Sequence, residues 1–408
     1  MNFNNIYNKL LCLIIFILLS SYTKVFAIQN ILVYGQSITN NNIKLTVSAI
    51  NDQEITDEIN FDLTVSGAIA IQNNATLPTK VNFNLTVQLK PHLNYTDIIY
   101  TLTNKTTNKI ISIQNGKFKA NNKRKVVHMM NNIIYKNITS KEANFTSKIA
   151  TIIKYNDVYS LVISDYDGYN GKSILTTKSP LSSLAWSPNN NNIAYVVYQD
   201  NKPVIYIQNI TLGVRTLIAN FEGSNSSPAF IDNTHLLVTL SKDEISHIYT
   251  IDNSKYQKDK TATRVVYWGQ IDTEATINSE GAIAFTSDRE GNPQIFLTNL
   301  KQTKPVKLTN KLGGYLTTAK FSPDGSKIAL VKKDIGFRVF LYDLKTQNIA
   351  SISDSLSDIA PSFSPNSSLV LYSNGEILYL SSTIYNKISA LELKNFNYDE
   401  VIDQSWSN

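Results

Sequence analysis

Short apolar runs separated by turn residues recur along the last two thirds of the chain. The clearest copy is the segment 319–331, AKFSPDGSKIALV. Phe321 closes a short apolar run, and the tripeptide 323–325, Pro-Asp-Gly, has the composition of a tight turn. Ile328 and Leu330 then alternate with other residues at the period of a β-strand. The segment therefore predicts a β-hairpin.

Five weaker copies of this pattern place a large apolar residue, the anchor, where Phe321 stands. The six anchors are Trp186, Phe230, Ile277, Phe321, Phe363 and Trp406. Successive anchors are 44, 47, 44, 42 and 43 residues apart. A period in this range, built from strands alone, is typical of four-stranded β-propeller blades. We therefore predict a six-bladed β-propeller over residues 149–408.

The two ends of the predicted propeller complement each other. Trp406 has no following strands with which to build a blade, whereas the segments 149–155, 159–164 and 173–177 read as strands without an anchor. Joined, they make one four-stranded blade. The C-terminal strand would then close the ring and remove its exposed sheet edges.

Residues 28–140 predict a small α/β domain. Ile55, Ile59 and Leu63 share one face of a helix over 51–63, and Asn51 with Glu54 resembles a capping box. Strict alternation over 81–89 predicts a half-buried strand. A second helix is expected over 124–138 with Ile133 among its buried residues, followed by a linker over 140–147.

Residues 1–27 have the features of a secretory signal peptide. Lys9 precedes an apolar run over 10–19, and Val-Phe-Ala at 25–27 fits a cleavage site, so the mature chain is expected to begin at Ile28. The single cysteine, Cys12, lies within this segment. We therefore expect no disulfide in the mature protein.

The charge balance argues against a nucleic-acid partner. The formal net charge is +6, and removal of Lys9 and Lys24 leaves 6 − 2 = +4. The short run Lys123-Arg124-Lys125 is interpreted as a solvated helix start. Nucleic-acid binding would require clustered arginines with interleaved aromatic residues.

No constellation in the sequence predicts catalysis or metal binding. It contains neither a G-x-S-x-G nor an H-E-x-x-H motif. The four histidines are each interpreted as a surface or packed residue: His92, His128, His235 and His247. The acidic stretch 165–170 lacks the glutamate that closes a calcium loop and is interpreted as a turn. We expect no enzyme activity, no cofactor and no metal site.

Two stretches resemble the TolB family of periplasmic propeller proteins. They are SDYDGYN at 164–170 and AFTSDREGNPQIF at 284–296. The resemblance implies a non-enzymatic scaffold of the Tol–Pal system in the periplasm, which supports outer-membrane integrity and constriction during cell division. It further implies a monomer that associates only peripherally with the envelope. Asn189–Asn192 replaces the family's usual Asp-Gly turn, so we expect reduced blade regularity there.

The resemblance also implies two protein partners. A Pal-like peptidoglycan-associated lipoprotein would bind at the propeller mouth, over the loops that precede the second and third anchors, Phe230 and Ile277. The matching positions are Ser224, Ser227, Thr273 and Glu274. A TolA-like inner-membrane protein would bind the mature N-terminal segment. Its residues are Ile28, Gln29, Asn30, Ile31, Leu32, Val33 and Tyr34.

One other function class remains open from the residues alone. A propeller of this kind also occurs as the small-ligand-binding or hydrolase-associated domain of secreted proteins. A soluble ligand that raises the melting temperature would favour this alternative.

Overall fold

The structure, a computed structural model, describes residues 43–48, 50–72, 81–242, 244–254, 261–267, 271–301 and 304–408. All of them belong to one unit, Asn40–Asn408. The predicted signal peptide and the predicted TolA-binding segment lie outside the described residues. Within the described ranges, no helix is long and apolar enough to cross a lipid bilayer.

The N-terminal α/β domain is a five-stranded sheet with two helices against one face. Its strands are β1 Ile43–Ser48, β2 Ile69–Ile71, β3 Phe83–Pro91, β4 Thr96–Asn104 and β5 Lys109–Phe118, in the order β2-β1-β3-β4-β5. The helices are α1 Gln53–Thr64 and α2 Lys123–Thr139. Alternating residues such as Leu85 and Val87 face the helices and are fully buried. The predicted α/β fold of this region is confirmed.

Both helices differ in detail from the sequence prediction. Helix α1 is capped by Asp52, whose side chain accepts a hydrogen bond from the Ile55 amide at 3.1 Å, and not by Asn51. Ile133 is 42% exposed, because the buried face of α2 is formed by residues such as Val127, Asn131 and Ile134, and Ile133 lies beside that face.

The remaining strands form six blades, each a four-stranded antiparallel sheet that runs from an innermost to an outermost strand. Blade one is β9 Leu181–Trp186, β10 Asn192–Gln199, β11 Lys202–Asn209 and β12 Arg215–Ala219. Blade two is β13 Asn225–Phe230, β14 His235–Leu240, β15 His247–Asp252 and β16 Ala262–Arg264. Blade three is β17 Asp272–Ile277, β18 Ala282–Ser287, β19 Gln294–Asn299 and β20 Val306–Lys307.

The second half of the ring repeats this order. Blade four is β21 Tyr315–Phe321, β22 Lys327–Lys333, β23 Phe337–Asp343 and β24 Ile349–Ser351. Blade five is β25 Ile359–Phe363, β26 Leu369–Ser373, β27 Leu378–Ser382 and β28 Ile388–Leu391. Blade six combines the C-terminal strand β29 Glu400–Trp406 with β6 Lys148–Tyr155, β7 Val158–Asp165 and β8 Lys172–Thr177.

The innermost strands contact one another in sequence around the ring. Each of the six anchors is the last residue of its innermost strand. Trp406 pairs with Ile149, so β29 closes the ring against β6. The predicted six-bladed propeller and its closure by the C-terminal strand are therefore confirmed.

The turn after each anchor explains why the repeat survives sequence change. In blade four, the Ser322 hydroxyl donates to Asp324 at 2.6 Å and accepts from the Lys327 amide at 2.9 Å. In blade one, Ser187 makes the equivalent contact to Asn189 at 2.7 Å. Asn190 takes the left-handed conformation that Gly325 takes in blade four, which asparagine tolerates better than most residues. The expected loss of regularity at Asn189–Asn192 was therefore wrong.

The N-terminal domain docks on the end of the ring where the innermost strands finish, which we call the anchor end. The hydroxyl of Ser382, the last residue of β27, donates to the Ser66 carbonyl at 2.7 Å. The Asn366 side chain, in the turn after β25, donates to the Glu142 carbonyl at 2.8 Å. One apolar core runs from the N-terminal helices into blades five and six. The opposite end, where the innermost strands begin, is called the mouth.

Candidate functional site

The innermost strands share one pattern at the mouth. In every blade the residues four and three positions before the anchor are half-buried and lie between buried neighbours. The strand register also shifts at this point in all six blades. The residue three before the anchor has a positive φ of 50° to 58° in five blades: Ser183, Ser227, Glu274, Thr318 and Ala360. A bulge changes the direction in which side chains point. The same distortion recurs in the innermost strands of all six blades, which form the wall of the central channel.

Three of the four positions expected to bind a lipoprotein lie in these strands. Ser227 and Glu274 are the bulge residues of β13 and β17, and Thr273 precedes Glu274. Only Ser224 lies in the loop that precedes an innermost strand, where its amide donates to the Ser241 hydroxyl at 2.7 Å. The expectation that all four stand in loops was wrong, because serine and threonine at a bulge resemble turn residues in sequence. All four side chains are half-buried at the mouth half of the ring.

Glu274 joins neighbouring blades. Its carboxylate accepts hydrogen bonds from the Thr286 hydroxyl and the Thr318 amide, both at 2.9 Å, and so connects blades three and four. Its own amide donates to the Thr239 hydroxyl of blade two at 3.3 Å. Glu274 therefore fixes the spacing of three blades next to Thr273.

Asp403 also joins neighbouring blades, at the point where the ring closes. It accepts a hydrogen bond from the Leu184 amide at 2.8 Å, which connects blade six to blade one. Burial raises the pKa of Asp403, against the opposing effect of that amide and of Lys320. The channel wall thus carries carboxylates in blades three and six.

The mouth collects exposed apolar side chains. Among the described residues of the ring, fifteen large apolar side chains are exposed, and ten of them lie on strand ends or loops at the mouth. The ten are Tyr155, Tyr198, Ile245, Tyr267, Ile271, Tyr315, Ile335, Phe337, Leu356 and Ile377. Tyrosine and aliphatic residues around a polar centre are typical of a protein-binding surface.

A second constellation lies where the N-terminal domain meets the ring. Asp62 on α1 accepts hydrogen bonds from His128 at 2.8 Å and from Asn131 at 2.7 Å, both on α2. It also accepts from the hydroxyl of Tyr166, in the turn between β7 and β8, at 2.5 Å. Asp167 in the same turn forms an ion pair with Arg124. The stretch 165–170, interpreted as a turn, is therefore a turn that receives the N-terminal domain.

Glu58 completes this group, and we refer to Glu58, Asp62, Arg124, His128, Tyr166 and Asp167 as the seam cluster. The Glu58 carboxylate lies 3.4 Å from Arg124 and 3.3 Å from His128. The interpretation of Arg124 as solvated was wrong, since only 11% of its side chain is exposed. The signal in the sequence was the placement of Glu58 and Asp62, four residues apart, beside the apolar face of α1.

Burial and charge shift the pKa values of the seam cluster. Burial raises the pKa of Glu58 to about 8, although His128 opposes the shift. Burial lowers the pKa of His128, but Asp62, Asp167 and Glu58 together outweigh it and raise that pKa to about 11. The imidazole is therefore a cation that bridges carboxylates of both domains.

The spacing of two residue sets in this cluster would suit a metal ion. Glu58, Asp62 and His128 could bring ligand atoms within 4.8 Å of one another, as could His128, Asp165 and Asp167. Arg124 and His128 already supply positive charge to these carboxylates. We therefore assign the cluster to ion pairing between the domains.

The fold defines the class of protein as a six-bladed β-propeller with an N-terminal α/β domain. Residues 135–407 match the family model described as the TolB beta propeller domain. The chain therefore belongs to the TolB β-propeller family, as the sequence resemblance predicted.

Solved and curated relatives agree with this assignment. The structure resembles the crystal structure of TolB from Acinetobacter baumannii with a TM-score of 0.80 and 27% identity, over 90% of this chain and 97% of that one. A Tol-Pal system protein TolB from Francisella tularensis subsp. mediasiatica is 28% identical over 68% of this chain and 66% of its own length. The Bordetella pertussis protein of that name is 36% identical over 61% of this chain and 57% of its own. The chain thus spans 57–66% of the length of these curated relatives, which is less than two thirds. Their name denotes a system protein and not an enzyme family.

Proposed function

We propose that this protein is a non-enzymatic scaffold of the Tol–Pal system in the periplasm. It binds a Pal-like peptidoglycan-associated lipoprotein at the mouth and a TolA-like inner-membrane protein through its mature N-terminal segment. In this role it supports outer-membrane integrity and constriction during cell division. The single observation that carries the lipoprotein site is the apolar and tyrosine-rich mouth, on the end of the ring opposite the docked N-terminal domain.

The mouth suits a protein partner for physical reasons. The apolar side chains at its rim supply area that a partner can bury. The half-exposed serines and threonines of the innermost strands leave room for an inserted loop and offer it hydrogen bonds. Because Glu274 holds blades two to four together, Ser227 and Thr273 are presented on a rigid wall.

Thr273→Ile should block lipoprotein binding without harming the fold. Isoleucine suits a strand, so β17 should form, but its larger side chain fills the space at the bulge. We expect binding of the purified lipoprotein domain to weaken at least about tenfold, or ~1.4 kcal/mol. Titration calorimetry measures this.

Thr263→Ile is the matched control, because Thr263 is exposed on β16, the outermost strand of blade two. It should bind like the wild type and melt at the same temperature as Thr273→Ile. Equal binding by both variants would place the lipoprotein elsewhere. A small soluble ligand that competes with the lipoprotein would favour the ligand-binding alternative.

Removal of residues 28–34 should abolish capture of a TolA-like protein and leave lipoprotein binding intact. The proposal assigns the two partners to separate parts of the chain, so their losses should be separable. Parallel pull-downs with each purified partner measure this. Loss of both interactions together would show that the segment supports the fold and has no separate binding role.

A further inference from the structure

Glu58 is a buried carboxylate that lacks a hydrogen bond. Its side chain is fully buried on α1, and both of its oxygens are without a hydrogen-bond partner. An ionised carboxylate in such a place is costly, whereas the neutral acid is tolerated. Glu58 also lies in the seam cluster, so its charge acts on the contact between the N-terminal domain and the ring.

The charges around Glu58 balance only when it is neutral. On its own helix it faces Asp62, on α2 it faces Arg124 and His128, and from the ring it faces Asp167. Tyr100 on β4 and Tyr166 complete the titratable surroundings. Two cations then match the two aspartates, and an ionised Glu58 would add an uncompensated negative charge in a buried place.

Opening the contact would relieve that charge. Asp62, Arg124 and His128 belong with Glu58 to the N-terminal domain, whereas Tyr166 and Asp167 belong to the ring. Separation would admit water to Glu58 and move the Asp167 charge away from it. We propose that a proton on Glu58 holds the N-terminal domain on the propeller, and that loss of this proton loosens the contact.

The pH window follows from the direction of the shift. The pKa of Glu58 is raised from 4.5 to about 8 when the N-terminal domain is docked on the ring. The stabilisation is therefore complete below about pH 4.5 and is lost as the pH rises through about 8. His128 stays charged throughout this window, and the pKa of Asp167 is lowered by His128 and Arg124 despite its burial.

A second group titrates at the contact between the N-terminal domain and the ring, and its effect on the stability of that contact changes with pH in the opposite direction. Lys387 contacts the Thr64 carbonyl at the end of α1, and burial lowers its pKa to about 8. Its effect favours the closed contact as the pH rises further. Glu58→Gln leaves Lys387 in place, so comparison with the wild type isolates the carboxyl group.

Hydrogen exchange of the full mature chain tests the proposal. In the wild type, the protection factor of the turn 165–170 should fall at least about tenfold between pH 6 and pH 8, a range in which the opposing effect of Lys387 is still small. In Glu58→Gln, which mimics the protonated acid, it should stay constant. Strands β18 and β19 of blade three serve as an internal reference and should not change in either protein.

Two results would overturn the proposal. One is a wild-type turn that is as protected at pH 8 as at pH 6, relative to blade three. The other is an equal loss of protection in Glu58→Gln. If the glutamine variant fails to fold, the wild-type comparison still decides, because it needs no substitution.

Discussion

Deletion of residues 405–408 should open the propeller and destabilise the whole ring. Trp406 is 4% exposed, and its indole stacks on Tyr166 with ring centres 6.1 Å apart. Its indole N–H donates to Ser147 and its amide to Ser362, both at 2.8 Å. Loss of a buried tryptophan alone costs about 3–5 kcal/mol. We expect the unfolding temperature to fall by about 8 °C or more.

Two substitutions test whether lost packing of Trp406, and not just any change of sequence, causes the destabilisation. Trp406→Ala should reproduce most of the loss, because it removes the stacked ring and leaves the strand in place. Leu93→Ala removes a side chain that is 98% exposed and should leave the unfolding temperature unchanged. A deletion protein that unfolds at the wild-type temperature would mean that β29 does not close the ring.

Asp167→Ala should be nearly as damaging, although it removes only one carboxylate. Asp167 is the ring's charged contribution to the seam cluster, and its side chain is 2% exposed. Its removal leaves Arg124 without its ion-pair partner and takes one of the three acidic neighbours from His128. Breaking one side of a buried pair typically costs about 3–5 kcal/mol. Chemical denaturation followed by far-ultraviolet circular dichroism measures this loss of unfolding free energy.

Asp157→Asn is the control for that substitution, because Asp157 has a φ of 60°, which asparagine tolerates better than alanine. Asp157 is also an aspartate of blade six and pairs with Lys154, but its side chain is 95% exposed. Exposed pairs contribute about 0–1 kcal/mol, so this variant should match the wild type closely. Equal destabilisation by the two variants would show that the seam cluster has no special role in stability.

The propeller could be predicted from sequence because each blade is local and repeated. A blade spans 42–47 residues, and its turn is set by neighbours such as Ser322, Asp324 and Lys327. The anchors recur where the innermost strands end, so six weak signals reinforce one another. Closure of the ring could be predicted because the first three strands and the last strand each formed only part of a blade.

The seam cluster could not be predicted in the same way, because its partners are far apart in sequence. Tyr166 and Asp62 are separated by 104 residues, and each charged residue alone reads as a surface residue. The mouth was only partly predictable. The direction of the chain places the loops there, but the bulge at Ser227 and Glu274 depends on pairing between strands.

The central claim is that a lipoprotein docks at the mouth, and site-specific photo-crosslinking in living cells tests it most directly. A photo-reactive residue would replace Tyr198 or Ile335 at the mouth, or Leu212 in the turn between β11 and β12 at the anchor end. The account predicts a lipoprotein adduct from a mouth position, lost when Thr273→Ile is also present, and none from Leu212. An adduct of equal yield from Leu212, or none from either mouth position, would contradict it.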